Sequence, residues 1–407
     1  MKGSDMDAIR VTDGIYWVGA IDWNIRSFHG YTTPRGSTYN AYLITGDKNI
    51  LIDTVKRPFF EEMLSRIRSV IDPSKIDIIV SNHTEMDHSS SLPLIQEVCG
   101  ATVLASRFGV EGLRLHYPDL RTEMVGDGQE IKAGGKTLKF IDTPMLHWPD
   151  SMFTYVEEDK VLFSMDAFGQ HFATSKRFND EVDQGALFQE AAKYYANIIL
   201  PFNAQVRQTI KKAQDIDIKI LATAHGVIWR TGLDKILSLY TEWSSAHTGE
   251  KAVVVYDTMW NSTRIMADEI AEGIASEGVS VEVLKLTSTD RSEVMMKVLE
   301  ARAVVVGTPT LNNTMYPSVA DMVYYMKGLR PTGRLGAVFG SYGWAGGATK
   351  QVHDLMKGGG LEMPFEDLQV RYIPHDEERR KCREYGRQIA MKIMDMSAGK
   401  DRTANEA

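Results

Sequence analysis

The sequence predicts two α/β domains in tandem, a layered strand-and-helix domain and then a doubly wound parallel sheet. Three observations carry this. The chain has 407 residues, enough for two full cores. Short apolar runs crowd its first half, with helical stretches between only some of them. From residue 251 the rhythm becomes a regular strand–helix alternation, the mark of a parallel sheet.

In the first half, "TYNAYLITGDKNILIDT" places two apolar runs around Gly46-Asp47-Lys48-Asn49, a hairpin signal. "PFFEEMLSRIRSVI" has apolar residues at helical spacing. "IDIIVSN", "ATVLAS", "KTLKFIDTP", "SMFTYVEEDKVLFSMD" and "IKILATAHG" read as strands. "GALFQEAAKYYANIILPF" and "AQVRQTIKKAQDI" read as helices. The polar stretch "SSAHTGEK", residues 244–251, is the expected linker, which gives domains 1–248 and 249–407. Beyond it, "KAVVVY", "VSVEVLKL", "AVVVGTPT", "LGAVFGSYGW" and "LEMPFEDLQVRYI" hold strands, each followed by a helical stretch. Val253–Val255 and Val304–Val306 suit strands covered on both faces. The tail "SAGKDRTANEA" has the composition of a disordered segment.

Composition excludes several classes of function. A formal net charge of −8 gives no electrostatic reason for nucleic acid or an anionic membrane as partner. No apolar run approaches the ~20 residues that span a bilayer. The N-terminus lacks a signal-peptide core. Cys99 and Cys382 are too few for a disulfide framework, so a reducing cytoplasm is expected.

The chemistry gathers at strand ends. "SNHTEMDHSSS" puts His83, Glu85, Asp87 and His88 directly after the strand "IDIIV". His147 follows "LKFIDTPML", Asp166 ends "KVLFSM", and His225 follows "IKILATA". Ends of neighbouring strands share one sheet edge, so these seven side chains form a candidate cluster. Seven ligands exceed one tetrahedral zinc and suit two metals with a bridging carboxylate. Four imidazoles with three carboxylates and no thiolate leave iron and zinc both open. His116, His247, His353 and His375 read as ordinary surface or hydrogen-bonded residues.

"HTEMDH" resembles the H-x-E-x-D-H signature of the flavodiiron proteins, relatives of the metallo-β-lactamase fold whose zinc hydrolases carry H-x-H-x-D-H. "STYNAYLI", "PMLHWPDSM", "LFSMDAFG" and "TAHGVIWR" extend the resemblance along the chain. It implies an N-terminal metallo-β-lactamase-like αββα sandwich followed by a flavodoxin-like sheet. It implies two irons, one held by His83, Glu85 and His147, the other by Asp87, His88 and His225, with Asp166 between them. His88 carries a qualification, because the matching histidine of some members turns away from the metal. The same resemblance points to His171 and the pair Tyr194-Tyr195, of which Tyr195 is the expected catalytic neighbour.

Three loops after strands of the second half form the expected cofactor site. "YDTMWNST" supplies Thr258, Met259, Trp260, Asn261, Ser262 and Thr263, hydroxyl-rich and opening a helix, as a monophosphate needs. "GTPTLNNTMYP" supplies Pro309, Thr310, Leu311, Asn312, Asn313 and Thr314. "GSYGWAGGATK" supplies Ser341, Tyr342, Gly343, Trp344, Ala345 and Gly346, aromatic faces beside glycines that let a ring approach. These loops resemble flavodoxin, so FMN is the implied cofactor.

A flavin and a metal pair imply electron flow to an oxidant. By resemblance the activity is reduction of dioxygen to water, with nitric oxide reduction as the alternative. The stretch "DWNIRSFHGYTTPRGSTYNAYL" is most similar to methanogen members that oxidise a reduced deazaflavin coenzyme, so that coenzyme is the expected donor and rubredoxin the alternative. The chain has no C-x-x-C pair, so the donor is expected to be external. The resemblance also implies a head-to-tail homodimer or a dimer of dimers. Two other classes compete: a zinc hydrolase fused to a flavodoxin, against which Glu85 argues, and an electron-transfer flavoprotein with a relic first domain, against which all seven filled positions argue.

Overall fold

The computed structural model describes residues 6–245 and 248–404. The chain divides into two compact units, Met1–Tyr194 with Phe202–Thr241, and Tyr195–Pro201 with Glu242–Ala407. The expected linker region follows the helix Leu233–Ser244 and precedes the strand Lys251–Tyr256. The segment 195–201, a π-helical turn and a short 3-10 turn, belongs to the second unit. There Asn197 Nδ2 donates to Ser292 O and its Oδ1 accepts from the Tyr325 hydroxyl.

The first unit stacks two sheets. The seven-stranded sheet runs Ile9–Thr12, Ile15–Trp17, Tyr42–Ile44, Asn49–Ile52, Ile76–Val80, Thr102–Ala105, Thr122–Met124. The five-stranded sheet runs Glu130–Ala133, Lys136–Asp142, Met152–Val156, Val161–Met165, Ile220–Thr223. Side chains alternate across each strand, so one face of each sheet enters a shared core that includes Ile15, Ile50, Ile52, Val80, Phe140 and Phe163. The other face of the larger sheet packs, through Leu43, Leu51 and Val103, on helices contributing Met63, Ile67, Ile95 and Leu113. The expected hairpin forms, pairing Leu43 with Leu51.

Strand direction decides where the candidate cluster lies. Val161–Met165 and Ile220–Thr223 are parallel neighbours, so Asp166 and His225 leave the sheet on one edge. Lys136–Asp142 runs the same way, because Met152–Val156 is antiparallel to both it and Val161–Met165. His147 therefore follows an end on that edge.

The second unit has the parallel order Ser280–Lys285, Lys251–Tyr256, Ala303–Leu311, Leu335–Tyr342, Leu368–Arg371. In sequence order this is 2-1-3-4-5, the flavodoxin-like winding. Its closing helix, Asp376–Ala404, crosses the helix Ser262–Ser276 through two glycines. A Cβ on Gly273 would lie 2.0 Å from Arg383 O, and one on Gly386 2.1 Å from Ile270 O. The helix continues to Ala404, and residues 405–407, the end of the tail expected to be disordered, lie outside the described residues.

Candidate metal and flavin sites

The segment 81–91 is pinned before any ligand is considered. Asp53, in a left-handed conformation at φ 56°, accepts hydrogen bonds from Asn82 N (2.7 Å) and Asn82 Nδ2 (2.8 Å). Thr54 Oγ1 donates to His88 O, and Ser89 Oγ donates to Thr84 O. The loop thus presents its side chains from a fixed backbone.

Two groups of side chains converge there. In one, His83 Nε2 and His147 Nε2 lie 3.4 and 3.3 Å from Glu85 Oε2, and 3.6 and 3.4 Å from Asp166 Oδ2. In the other, His88 Nε2 and His225 Nε2 each lie 3.2 Å from Asp87 Oδ2, and 3.6 and 3.4 Å from Asp166 Oδ1. Asp166 therefore turns one oxygen toward each group. Such spacings match two ligands each held about 2.1 Å from one ion at roughly tetrahedral angles. All seven expected ligands are brought together, and His88 faces inward.

The buried polar atoms support occupancy by cations. Among the described residues, both Asp87 oxygens, both His88 ring nitrogens and Asp166 Oδ2 have no hydrogen-bond partner. Leaving so many buried groups unpaired is costly, and a metal ion is the partner that satisfies carboxylate and imidazole together. Burial alone would raise the Asp166 carboxyl, yet His147, His225 and His88 hold it well below the usual carboxylate range. Burial lowers His225, and Asp166 with Asp87 outweigh it, raising the imidazole to about 10. The pocket thus favours carboxylates with positive charge beside them.

Ring orientation is set from behind. Asp150 Oδ2 accepts from Thr84 N at 2.7 Å and lies 2.9 Å from His83 Nδ1. An ionised carboxylate only accepts, so Nδ1 carries a proton and Nε2 is the ring nitrogen that faces the cluster. Thr38 O does the same for His225, 2.7 Å from its Nδ1. His171 is fully buried, its Nδ1 2.7 Å from Ser37 Oγ and its ring 4.9 Å from that of His225. The expectation for Tyr195 is corrected: its ring packs 5.2 Å from Trp243 in the second unit, while the Tyr194 hydroxyl donates to Asp166 Oδ1 at 2.8 Å. Adjacent helical positions point about 100° apart, so only one tyrosine of the pair can face Asp166.

Sequence reasoning missed Asp150 and His29. Asp150 stands three positions after His147, and that spacing was its only signal. His29 sits between the short paired strands Ser27–Phe28 and Tyr31–Thr32, and its Nε2 lies 2.5 Å from Glu85 Oε1. No strand-end pattern marks it. Of the histidines read as ordinary, His353 pairs with Asp367 at 2.8 Å, and His247 lies outside the described residues.

In the second unit a cavity of about 560 Å³ opens at the carboxyl ends of the strands. Of the expected residues, Thr258, Met259, Trp260, Ser262, Pro309, Thr310, Leu311, Asn312, Asn313, Ser341, Tyr342, Gly343, Trp344 and Ala345 line it. Asn261, Thr263, Thr314 and Gly346 are not part of the lining: Thr263 Oγ1 bonds Ser341 Oγ at 2.9 Å, and Thr314 Oγ1 donates to Gln351 Oε1 at 2.6 Å. Tyr372, at φ 60° after the last strand, joins the lining and was not foreseen. Thr258 Oγ1 is buried with no hydrogen-bond partner among the described residues, beside the start of the helix Ser262–Ser276. A hydroxyl and a helix N-terminus so placed fit a phosphate. The cavity suits a planar, aromatic-stacked ligand of flavin size.

A sandwich carrying paired metal-ligand groups, followed by a flavodoxin-like cavity, defines a metalloflavoprotein class, and the comparisons agree. Residues 38–226 match the ODP family beta lactamase, and residues 254–386 match flavodoxin. The chain is 46% identical over 395 residues to a nitric oxide reductase of Moorella thermoacetica, covering 95% of this chain and 99% of that one. Rubredoxin oxygen:oxidoreductase from Desulfovibrio gigas superposes with TM-score 0.93 at 38% identity, covering 96% of this chain and 99% of that one. The flavodiiron protein of Giardia intestinalis also gives TM-score 0.93, at 36% identity, covering 97% and 98%. The chain belongs to the flavodiiron proteins. It is an oxidoreductase whose cofactors are FMN and a pair of irons. No helix among the described residues is long and apolar enough to cross a membrane.

Proposed function

We propose that the chain reduces dioxygen to water at the iron pair, with electrons entering through FMN from a reduced deazaflavin coenzyme. The single observation behind the site assignment is Asp166, whose two oxygens face two separate ligand groups. His83, Glu85 and His147 would hold one iron, Asp87, His88 and His225 the other, with Asp166 shared. The flavin stores electrons from a two-electron donor, and the iron pair supplies the position where a diatomic oxidant binds.

The chain's own groups prepare that chemistry. Asp150 and Thr38 O fix the protons of His83 and His225 on Nδ1, which leaves Nε2 for the metal. Tyr194 donates to Asp166 Oδ1 and holds the carboxylate's plane. His29 is half exposed and reaches Glu85 Oε1, so its Nε2 is placed to pass a proton inward from solvent. Thr258 and the N-terminus of the helix Ser262–Ser276 would hold the flavin phosphate.

The donor assignment rests on the likeness of residues 22–43 to the deazaflavin-oxidising members. We also propose a cytoplasmic setting, supported by two free cysteines, and the head-to-tail pairing that family resemblance implies. Nitric oxide reduction is the second reading, favoured by the Moorella relative. Anaerobic mixing with reduced deazaflavin coenzyme or reduced rubredoxin, followed at the flavin absorbance, tests the donor; bleaching by rubredoxin alone rejects it. Oxygen and nitric oxide consumption on one preparation with the same donor then ranks the oxidants. Faster nitric oxide turnover would overturn the dioxygen reading.

A further inference from the structure

The turn that carries His225 is held by a residue far from the metal ligands in sequence. Asn40 is buried, 1% exposed, and every hydrogen-bonding group of its side chain is used. Its Oδ1 accepts from Trp17 Nε1 at 2.8 Å. Its Nδ2 donates to Thr223 O at 2.8 Å and to Gly226 O at 3.2 Å. Its main-chain N–H donates to Ala224 O at 2.8 Å. Those three carbonyls bracket His225 on both sides. Thr38 completes the frame, since its Oγ1 accepts from Gly226 N at 2.7 Å and its carbonyl holds His225 Nδ1.

An amide can flip, and a flipped Asn40 would turn its oxygen toward the oxygens of Thr223 and Gly226. Trp17 forbids this. An indole N–H only donates, so it must face Oδ1, which directs both Nδ2 protons at the turn. Trp17 cannot easily swing away. It is fully buried, with the guanidinium carbons of Arg66 and Arg177 4.7 and 4.6 Å from its ring centroid. Each carbonyl that Asn40 holds by its side chain has a second donor: the Tyr42 hydroxyl reaches Thr223 O at 2.7 Å, and Thr38 Oγ1 reaches Gly226 O at 3.3 Å. Loss of the amide therefore leaves no carbonyl bare. It loosens the turn rather than unfolding the sheet.

We propose that Trp17 and Asn40 are positioning residues for His225: the indole fixes the amide, and the amide fixes the turn that aims Nε2 at its metal. This rests on reading His225 as a ligand of the iron shared with Asp87 and His88. The relay acts on one of the two metal positions and leaves the His83–Glu85–His147 group untouched.

The test compares the full-length wild type with Asn40→Asp, which keeps side-chain size while removing the amide N–H donors, and Trp17→Phe, which removes the indole N–H and leaves a smaller apolar ring. Ferrous iron is titrated anaerobically into metal-free protein against a competing chelator, with Mössbauer spectra resolving the two iron environments. Metal-free melting curves run alongside. The relay predicts that each variant keeps one iron at wild-type affinity and binds the other about 10- to 100-fold more weakly. It also predicts that each metal-free variant still melts cooperatively, and a double variant no weaker than Asn40→Asp. Unchanged affinity for both irons overturns it, as does equal weakening of both together with a lowered melting temperature. Should Asn40→Asp fail to fold, Trp17→Phe alone decides. A wild type that does not bind two irons refutes the site assignment, and the relay with it; two irons in the wild type with unaltered variants refutes only the relay.

Discussion

The metal cluster and the flavin cavity solve opposite problems. The cluster is assembled from side chains on separate chain segments, almost all buried, with His83 and His225 each aimed by a hydrogen bond from behind. The flavin cavity is formed by loops. Its loops follow strands of one parallel sheet, and Asn312, Asn313 and Tyr372 in its lining all take the left-handed conformation. Its aromatics stay open to solvent, with Trp260 85% and Trp344 88% exposed. A dication needs fixed charge at short range, so its site is dry and clamped. A flavin needs shape and main-chain donors, so its site is made of turns. Substitutions in the two regions should differ in size and in which cofactor they disturb.

The largest effect is expected at Asp166. Replacing it with alanine removes the one carboxylate common to both groups and leaves four imidazoles crowded around two remaining acids. Asp166→Ala should lose iron from both positions and reduce oxidant consumption by at least about 100-fold, while its flavin absorbance matches wild type. Elemental analysis, oxygen uptake and a visible spectrum measure the three quantities. Retained iron with wild-type uptake would remove Asp166 from the bridging position.

The same contrast explains what could be read from the sequence. The ligands were legible because His83, Glu85, Asp87 and His88 put four ionisable groups behind a buried strand, an arrangement with few inert explanations. The flavin loops were legible by position, since ligands of doubly wound sheets bind at strand ends. The residues that aim the ligands were not. Asp150 is one acid among 54 acidic residues, and only the fold brings it to His83. Tyr194 and Tyr195 are adjacent and identical in type. The turn from α-helix to π-helix between them, which no composition marks, sends one to Asp166 and the other to Trp243. The exchange of 195–201 between units is hidden for the same reason: periodicity shows a helix but not the body it packs on.

Next in size is Asp150→Asn. The amide can still face His83 but can offer an N–H where a bare oxygen is needed, so the imidazole proton is no longer confined to Nδ1. Iron affinity at the His83 position should fall about 10- to 100-fold, with the His225 position unaffected. The measurement is the same chelator-competition titration, and a uniform loss at both positions would count against a local role for Asp150.

A smaller, graded effect is expected from pH, and its sign follows from the imidazoles. In the metal-free protein, burial lowers His83, His147 and His225, but neighbouring carboxylates outweigh it and raise all three, His225 to about 10. Their contribution to metal-free stability is complete below the unfolded value of about 6.5 and lost as pH rises through the folded values. Iron requires Nε2 free of its proton, so binding must expel those protons. Apparent affinity should rise with pH above neutrality, by roughly tenfold per unit for each proton displaced. Titrations in buffers of different ionisation enthalpy would count the protons directly. A pH-independent affinity would mean that these rings are already neutral.

The smallest effect tests whether turn conformation shapes the flavin site. Asn261 precedes the helix Ser262–Ser276 at φ 66°, and its carbonyl accepts the first helical hydrogen bond from Ile265 N at 2.9 Å. Glycine adopts that conformation freely and asparagine tolerates it, whereas alanine bears a cost of about 1 kcal/mol. Carried into binding, this is roughly a fivefold loss. Asn261→Gly should therefore bind FMN as wild type does, and Asn261→Ala about fivefold more weakly, with iron content unchanged in both. Fluorescence titration of the apoprotein with FMN gives the two constants. Equal losses in both variants would assign the effect to the asparagine side chain, and the division between a site made of side chains and a site made of turns would fail at this loop.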